Sequence, residues 1–132
     1  MLAGLLLTAG CADMIGPEKF ATARVSGRVT LGSSQPVPGR WVEMIPTRGT
    51  TGRLASSRTL ADGSFTIEDA PVGSVGIRLV GAPIRPAGPS LLDRFLFQVS
   101  QTYLIRREIP GQGGELSIDL LREFEQYSQG RN

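Results

Sequence analysis

The 132-residue chain predicts an all-β fold: a single antiparallel β-sandwich of about seven strands, with a short C-terminal tail able to turn helical. Three observations carry this reading. Apolar and polar residues alternate in several short runs, the period of a strand buried on one face. Glycine and proline, 17 and 9 residues, are scattered as turn punctuation rather than gathered into one linker. The run TLADGSFTIEDAPVGSVGIRLVG, residues 59–81, holds two strand patterns, an Asp62-Gly63 turn and a break at Pro71 and Gly73.

In chain order, Thr22–Leu31 sets Val25, Gly27 and Val29 against Arg24, Ser26 and Arg28, a strand with one wet face in which Gly27 marks a close backbone approach or a bulge. Residues 32–39 (GSSQPVPG) are turn formers. Residues 40–46 place Val42 and Met44 opposite Trp41, Glu43 and Ile45, and the pattern leaves open which set faces the core. Residues 53–60 read as a weaker, polar edge strand leading into an antiparallel hairpin at Asp62-Gly63, where glycine supplies the positive φ of a tight turn. Beyond the turn Phe65 and Ile67 point inward, and after Pro71 and Gly73 so do Val75, Ile77 and Leu79. Residues 82–93 (APIRPAGPSLLD) carry Pro83, Pro86 and Pro89, a spacing through which neither helix nor strand runs. Phe95, Phe97 and Val99 then alternate as an inward-facing strand to which residues 103–109 can pair. Residues 111–114 (GQGG) read as a hairpin turn before a last strand with Leu116, Ile118 and Leu120. Leu120, Phe124 and Tyr127 allow a turn or two of amphipathic helix ending at Gly130.

Ahead of these elements, residues 1–10 (MLAGLLLTAG) are uncharged and apolar, and small residues stand immediately before Cys11. Leu7-Thr8-Ala9-Gly10-Cys11 resembles the lipobox of a bacterial lipoprotein signal, in which small side chains admit the peptidase and the Cys11 sulfur receives diacylglycerol. The run is too short to span roughly 30 Å of hydrocarbon as a helix. The organisation expected is a signal peptide over 1–10, a lipidated tether over 11–21 (ADMIGPEKFA after the cysteine), a β-sandwich over 22–120 and a tail over 121–132. With Ala12 after the cysteine, the resemblance implies a lipid-anchored envelope protein, sorted to the outer membrane.

Val25-Ser26-Gly27-Arg28-Val29, Pro36-Val37-Pro38-Gly39-Arg40-Trp41-Val42, Thr59-Leu60-Ala61-Asp62-Gly63-Ser64-Phe65 and Ala70-Pro71-Val72-Gly73 together resemble the carboxypeptidase regulatory-like domain family over roughly residues 22–81. The resemblance implies a transthyretin-like, or prealbumin-like, sandwich with Gly27, Pro38-Gly39, Asp62-Gly63 and Phe65 as scaffold positions. It also implies an accessory, non-enzymatic role without a zinc site.

The residues themselves exclude several chemistries. No histidine is present, so neither a Ser-His-Asp nor a Cys-His hydrolase can be assembled, and zinc by His and Cys is excluded with it. Cys11 is the only cysteine, which rules out an intramolecular disulfide. A net charge of +2 does not argue for nucleic acid. Calcium would need Asp62 with Glu68 or Asp69, and no dense acidic loop supports it. Residues 111–114 lack the Lys and Ser/Thr of a phosphate loop. The chain is therefore expected to be non-catalytic, without metal or cofactor, and to act as a binding or structural module for an envelope protein partner. A carbohydrate-binding module of starch-binding-like architecture is the alternative, with Trp41 and Tyr103 as stacking rings, although a single tryptophan on an alternating strand is more often core. For a protein partner, the proline-held segment 82–93 offers Ile84, Arg85, Leu91 and Leu92 as a docking patch, unless the two leucines cap the open end of the sandwich.

Overall fold

The structure, a computed structural model, describes residues 20–81 and 90–130. The strands are β1 (Thr22–Leu31), β2 (Gln35–Pro36), β3 (Trp41–Pro46), β4 (Ala55–Arg58), β5 (Ser64–Pro71), β6 (Gly73–Val80), β7 (Ile105–Ile109) and β8 (Gly114–Asp119). Two helices join them, α1 (Leu91–Val99) and α2 (Leu120–Gly130).

These strands form the two layers of a β-sandwich. In the first sheet β1 is central and pairs with every other strand: β5 antiparallel along Thr22–Arg28, the short β2 antiparallel at Thr30 and Leu31, and β8 along Val25–Thr30. The second sheet runs β4-β3-β6-β7, every neighbour antiparallel. One pair departs from the antiparallel expectation, because β8 runs parallel to β1 from Val25↔Gly114 to Thr30↔Asp119. Between the sheets Val25, Val29, Phe65, Ile67 and Ile118 meet Val42, Met44, Val75, Ile77 and Leu79, all essentially without solvent contact. Apolar burial of this kind stabilises by roughly 25 cal/mol per Å².

Gly27 lies on β1 where that strand is flanked on both sides. A Cβ there would stand 2.0 Å from the Leu116 carbonyl oxygen and 2.8 Å from the Phe65 ring, so the position is the close approach that the sequence predicts. The irregularity in β1 falls elsewhere, between Ala23 and Val25.

Both expected hairpins are corrected. The Asp62-Gly63 turn is present, with Gly63 at φ 82°, its N–H donating to the Leu60 carbonyl (2.9 Å) and the Leu60 N–H to the Ser64 carbonyl (2.8 Å). Its flanking strands do not pair, since β4 belongs to the second sheet and β5 to the first. Residues 110–113 likewise close a turn, Gly113 N–H to Pro110 carbonyl at 2.9 Å, that carries the chain from β7 in one sheet to β8 in the other. Turn chemistry fixes a reversal, whereas the choice of neighbouring strand is set by long-range partners. Buried Thr59 is one of these: its N–H donates to the Arg40 carbonyl (2.7 Å) and its hydroxyl accepts from the Arg40 N–H (2.9 Å), tying β4 to β3.

The expected strand over Phe95, Phe97 and Val99 is a helix. Phe95 and Val99 are four apart, a spacing shared by period two and by a helical face, so alternation over five residues does not separate the two. Ser90 caps α1, its hydroxyl oxygen accepting from the Asp93 N–H at 3.1 Å. Leu92, Phe95, Leu96 and Val99 face inward and Phe97 faces solvent. Residues 105–109 accordingly pair with β6 instead. The tail is helical as expected: Asp119 accepts from the Leu121 N–H (3.0 Å) at the start of α2 and from the Gly32 N–H (2.9 Å), fastening the helix to the turn after β1. Among the described residues no helix is long and apolar enough to cross a membrane.

Candidate functional site

The alternation in β3 resolves in favour of Val42 and Met44, which are fully buried, and Trp41 and Glu43 therefore face outward. Trp41 is 45% exposed, against the expectation that a lone tryptophan on such a strand is core. The physical reason is parity: one set must point out, and the slot opposite Phe65 and Ile67 is filled by the slimmer Val42 and Met44. Trp41 lies opposite Arg58 on β4 and Val80 on β6, so its indole stands on the open face of the second sheet between two neighbours. Two residues along the same face, Glu43 lies opposite Arg78. The Arg78 guanidinium donates from Nε (2.9 Å) and Nη2 (2.6 Å) to Glu43 Oε1, a half-buried pair that holds a fixed acceptor and donor beside the ring. A flat apolar ring next to rigid polar groups on an open sheet can pack against the apolar face of a ligand while the polar groups meet its hydrogen-bonding edge.

Tyr103 is not part of that platform. It precedes β7, two strands from β3, and its ring packs edge-on against Phe95 (centroids 5.5 Å) and Tyr127 (5.2 Å). Phe95 also meets Phe124 (5.6 Å) and Tyr127 (5.0 Å), and the Tyr127 hydroxyl donates to Gln98 Oε1 at 2.7 Å, so these rings knit α1 to α2. Burial, and then the Glu123 charge, raise the Tyr103 phenol above its usual range. Of the expected docking residues, Leu92 packs on the core while Leu91 is exposed; Ile84, Arg85 and the lipidation candidate Cys11 lie outside the described residues.

Asp62 works as a turn residue. It accepts from the Ser64 hydroxyl (2.6 Å) and N–H (3.0 Å), and these bonds, with Arg28 adding its charge, hold its carboxyl below the ordinary value. Among the described residues no three potential metal ligands come together. Sequence reasoning missed the buried Glu123, which pairs through Oε2 with Arg107 Nη2 at 2.5 Å and so joins α2 to β7. Its signal was an acidic residue one position before Phe124 on the apolar side of an amphipathic helix.

The fold and the exposed face define an all-β sandwich with an open sheet surface. No protein-family profile matches the chain, and no curated protein matches it. Among solved structures it is similar to the dioxygenase domain of a dioxygenase carbohydrate-binding protein fusion from Streptomyces sp. SirexAA-E, at 21% identity over 76% of this chain and 80% of that one, with a TM-score of 0.40. It is also similar to a 9R-lipoxygenase from Cyanothece PCC8801, at 14% identity over 85% of this chain and 20% of that one, with a TM-score of 0.37. Superpositions this loose carry no argument about chemistry.

Proposed function

We propose that this protein is a non-catalytic, lipid-anchored envelope module that binds its ligand on the open face of the second sheet, with Trp41 stacking on a sugar ring. The observation that carries the reading is the 45% exposed indole of Trp41 beside the fixed Glu43–Arg78 pair. Indole stacking is tolerant of sugar identity, and the paired carboxylate and guanidinium supply the directional contacts that choose among hydroxyl patterns. The absence of histidine from the chain and the placement of its one cysteine at position 11 support a binding rather than a hydrolytic role. The scaffold glycines at 27 and 63, the first in a close approach and the second in a positive-φ turn, support membership of the carboxypeptidase regulatory-like family.

A glycan array tests the ligand class: wild-type protein should bind a subset of glycans, and Trp41→Ala should melt near the wild-type temperature yet bind none. A variant that fails to fold, or an array blank for both proteins, overturns the reading. Cys11→Ala tests the anchor, since it should release the chain from membranes and remove the mass of the lipid.

A second reading is docking of an envelope protein on the outer side of α1, and the exposed side chains of Leu91 and Phe97, 43% and 56% accessible, favour it. Replacing both with Ser should abolish co-purification with that partner while leaving glycan binding intact.

A further inference from the structure

At one end of the second sheet a cleft of about 230 Å³ opens between the β3–β4 connection and β7. The start of β6, at Ser74 and Val75, forms its floor. Thr47 and Arg48 make one wall, and Arg106, Arg107 and Glu108 make the other. Arg107 is committed to Glu123, and Glu108 Oε2 accepts the Ser74 hydroxyl at 2.8 Å. Among the described residues neither Arg48 nor Arg106 has an ion-pair partner, and the Thr47 hydroxyl is buried without a hydrogen-bond partner. Two arginines without an ion-pair partner among the described residues therefore line one small cleft, and Arg106 also borders the neighbouring hollow beside Tyr103.

Arg48 sits there at a conformational cost. The turn closes through the Thr50 N–H to the Thr47 carbonyl at 3.0 Å, with Arg48 at φ 52° and Gly49 at φ 81°. Positive φ at both central positions is the geometry in which Asn-Gly is preferred and a long side chain is disfavoured. Arg48 is the one non-glycine residue with positive φ among those described. Strain held at the lip of a charged cleft is a pointer to function.

The end of the sandwich that carries this cleft is also the end where the N-terminal segment joins. The Ala21 carbonyl accepts from the Val72 N–H at 3.1 Å, a Cβ on Gly52 would lie 3.9 Å from Phe20 and 3.8 Å from Pro46, and one on Gly73 would lie 2.7 Å from Thr50 Oγ1.

We propose that this cleft binds a phosphate group through Arg48 and Arg106. It lies at the end of the sandwich where Phe20 and Ala21 join it, which makes a lipid headgroup one source of that phosphate; this source rests on the anchor at Cys11, and the phosphate chemistry itself does not. Arginine forks match phosphate oxygens in a bidentate fashion, and Glu108 limits the charge that the cleft accepts.

The test uses the full chain with Cys11→Ala and two probes, inorganic phosphate and vesicles of phosphatidylglycerol. Phosphate should shift the amide resonances of Arg48, Ser74 and Arg106. Arg48→Asn or Arg106→Ala should weaken its binding by about tenfold, the loss expected for a charge-assisted contact. Arg48→Asn should at the same time raise the melting temperature, because the strain is relieved, and Glu108→Gln should tighten binding. If both arginine variants also sediment less with the vesicles than their parent, the headgroup is the source. If phosphate binding falls and sedimentation is unchanged, the phosphate site stands and the headgroup source is overturned. No shift at the cleft with phosphate, or equal binding by both variants, overturns the proposal. Failure of the anchor is read separately, from an unmodified mass for the native chain.

Discussion

Replacing Gly27 with Ala places a methyl group where the structure has no room. The added Cβ would lie 2.0 Å from the Leu116 carbonyl oxygen and 2.8 Å from Phe65 Cζ. The Phe65 ring can rotate away, but the carbonyl belongs to the β1–β8 ladder, and an ordinary carbon–oxygen contact requires that the two strands separate by about 1 Å. Overpacking of a well-filled interior costs about 1–3 kcal/mol, and a clash with backbone rather than with a flexible side chain belongs at the upper end. For a domain of this size, about 3 kcal/mol lowers the melting temperature by roughly 10–20 °C. Thermal unfolding followed by far-ultraviolet circular dichroism measures it, with Gly111→Ala as control, because a Cβ on Gly111 meets nothing within 4 Å. A Gly27→Ala protein that melts with the control would show that β1 and β8 are not packed as described.

Three further outcomes are expected. Phe95→Ala should cost about 3–5 kcal/mol in urea unfolding, while Phe97→Ser should stay within about 0.5 kcal/mol; equal losses would return the segment to a strand. Glu123→Gln should cost about 2–3 kcal/mol, because Arg107 loses its partner but keeps some access to water, and a fully neutral result would mean that the α2–β7 pair is not formed. The depressed pKa of Asp62 implies stability that is present above its unfolded value, near pH 3.9, and lost as pH falls through the lower folded value. The wild-type advantage over Asp62→Asn should therefore shrink on acidification through that window, and an advantage independent of pH would rule out the Ser64 and Arg28 contacts as its cause.

Much of the sandwich was legible because period-two patterns and turn residues are local. The bounds of β1, the inward set of β5 and β6, the edge position of β4 and the close approach at Gly27 all follow from residues near in sequence. Strand partners were not legible: the turns at Asp62-Gly63 and at 110–113 read as hairpins, and only contacts such as Thr59 with Arg40 reveal that each passes between sheets. Helix α1 does not follow from the alternation of Phe95, Phe97 and Val99, because the Phe95–Val99 spacing fits a strand and a helical face alike; the capping signal lies upstream, in Ser90-Leu91-Leu92-Asp93. At the candidate site the sequence supplied Trp41 but not its orientation. The parity of β3 depends on the opposing sheet, and so the ring expected inside stands outside, while Tyr103, also considered as a stacking ring, is held among Phe95 and Tyr127.

Trp41 is the single tryptophan of the chain, so its emission reports directly on the proposed platform. The native protein should emit at the long wavelength of a hydrated indole and be readily quenched by acrylamide. Saturation with a glycan selected on the array should shift the emission to the blue and protect it from the quencher. An indole already shielded in the free protein, or one whose emission and quenching ignore every glycan that binds, would contradict the assignment of the open face of the second sheet as the ligand surface.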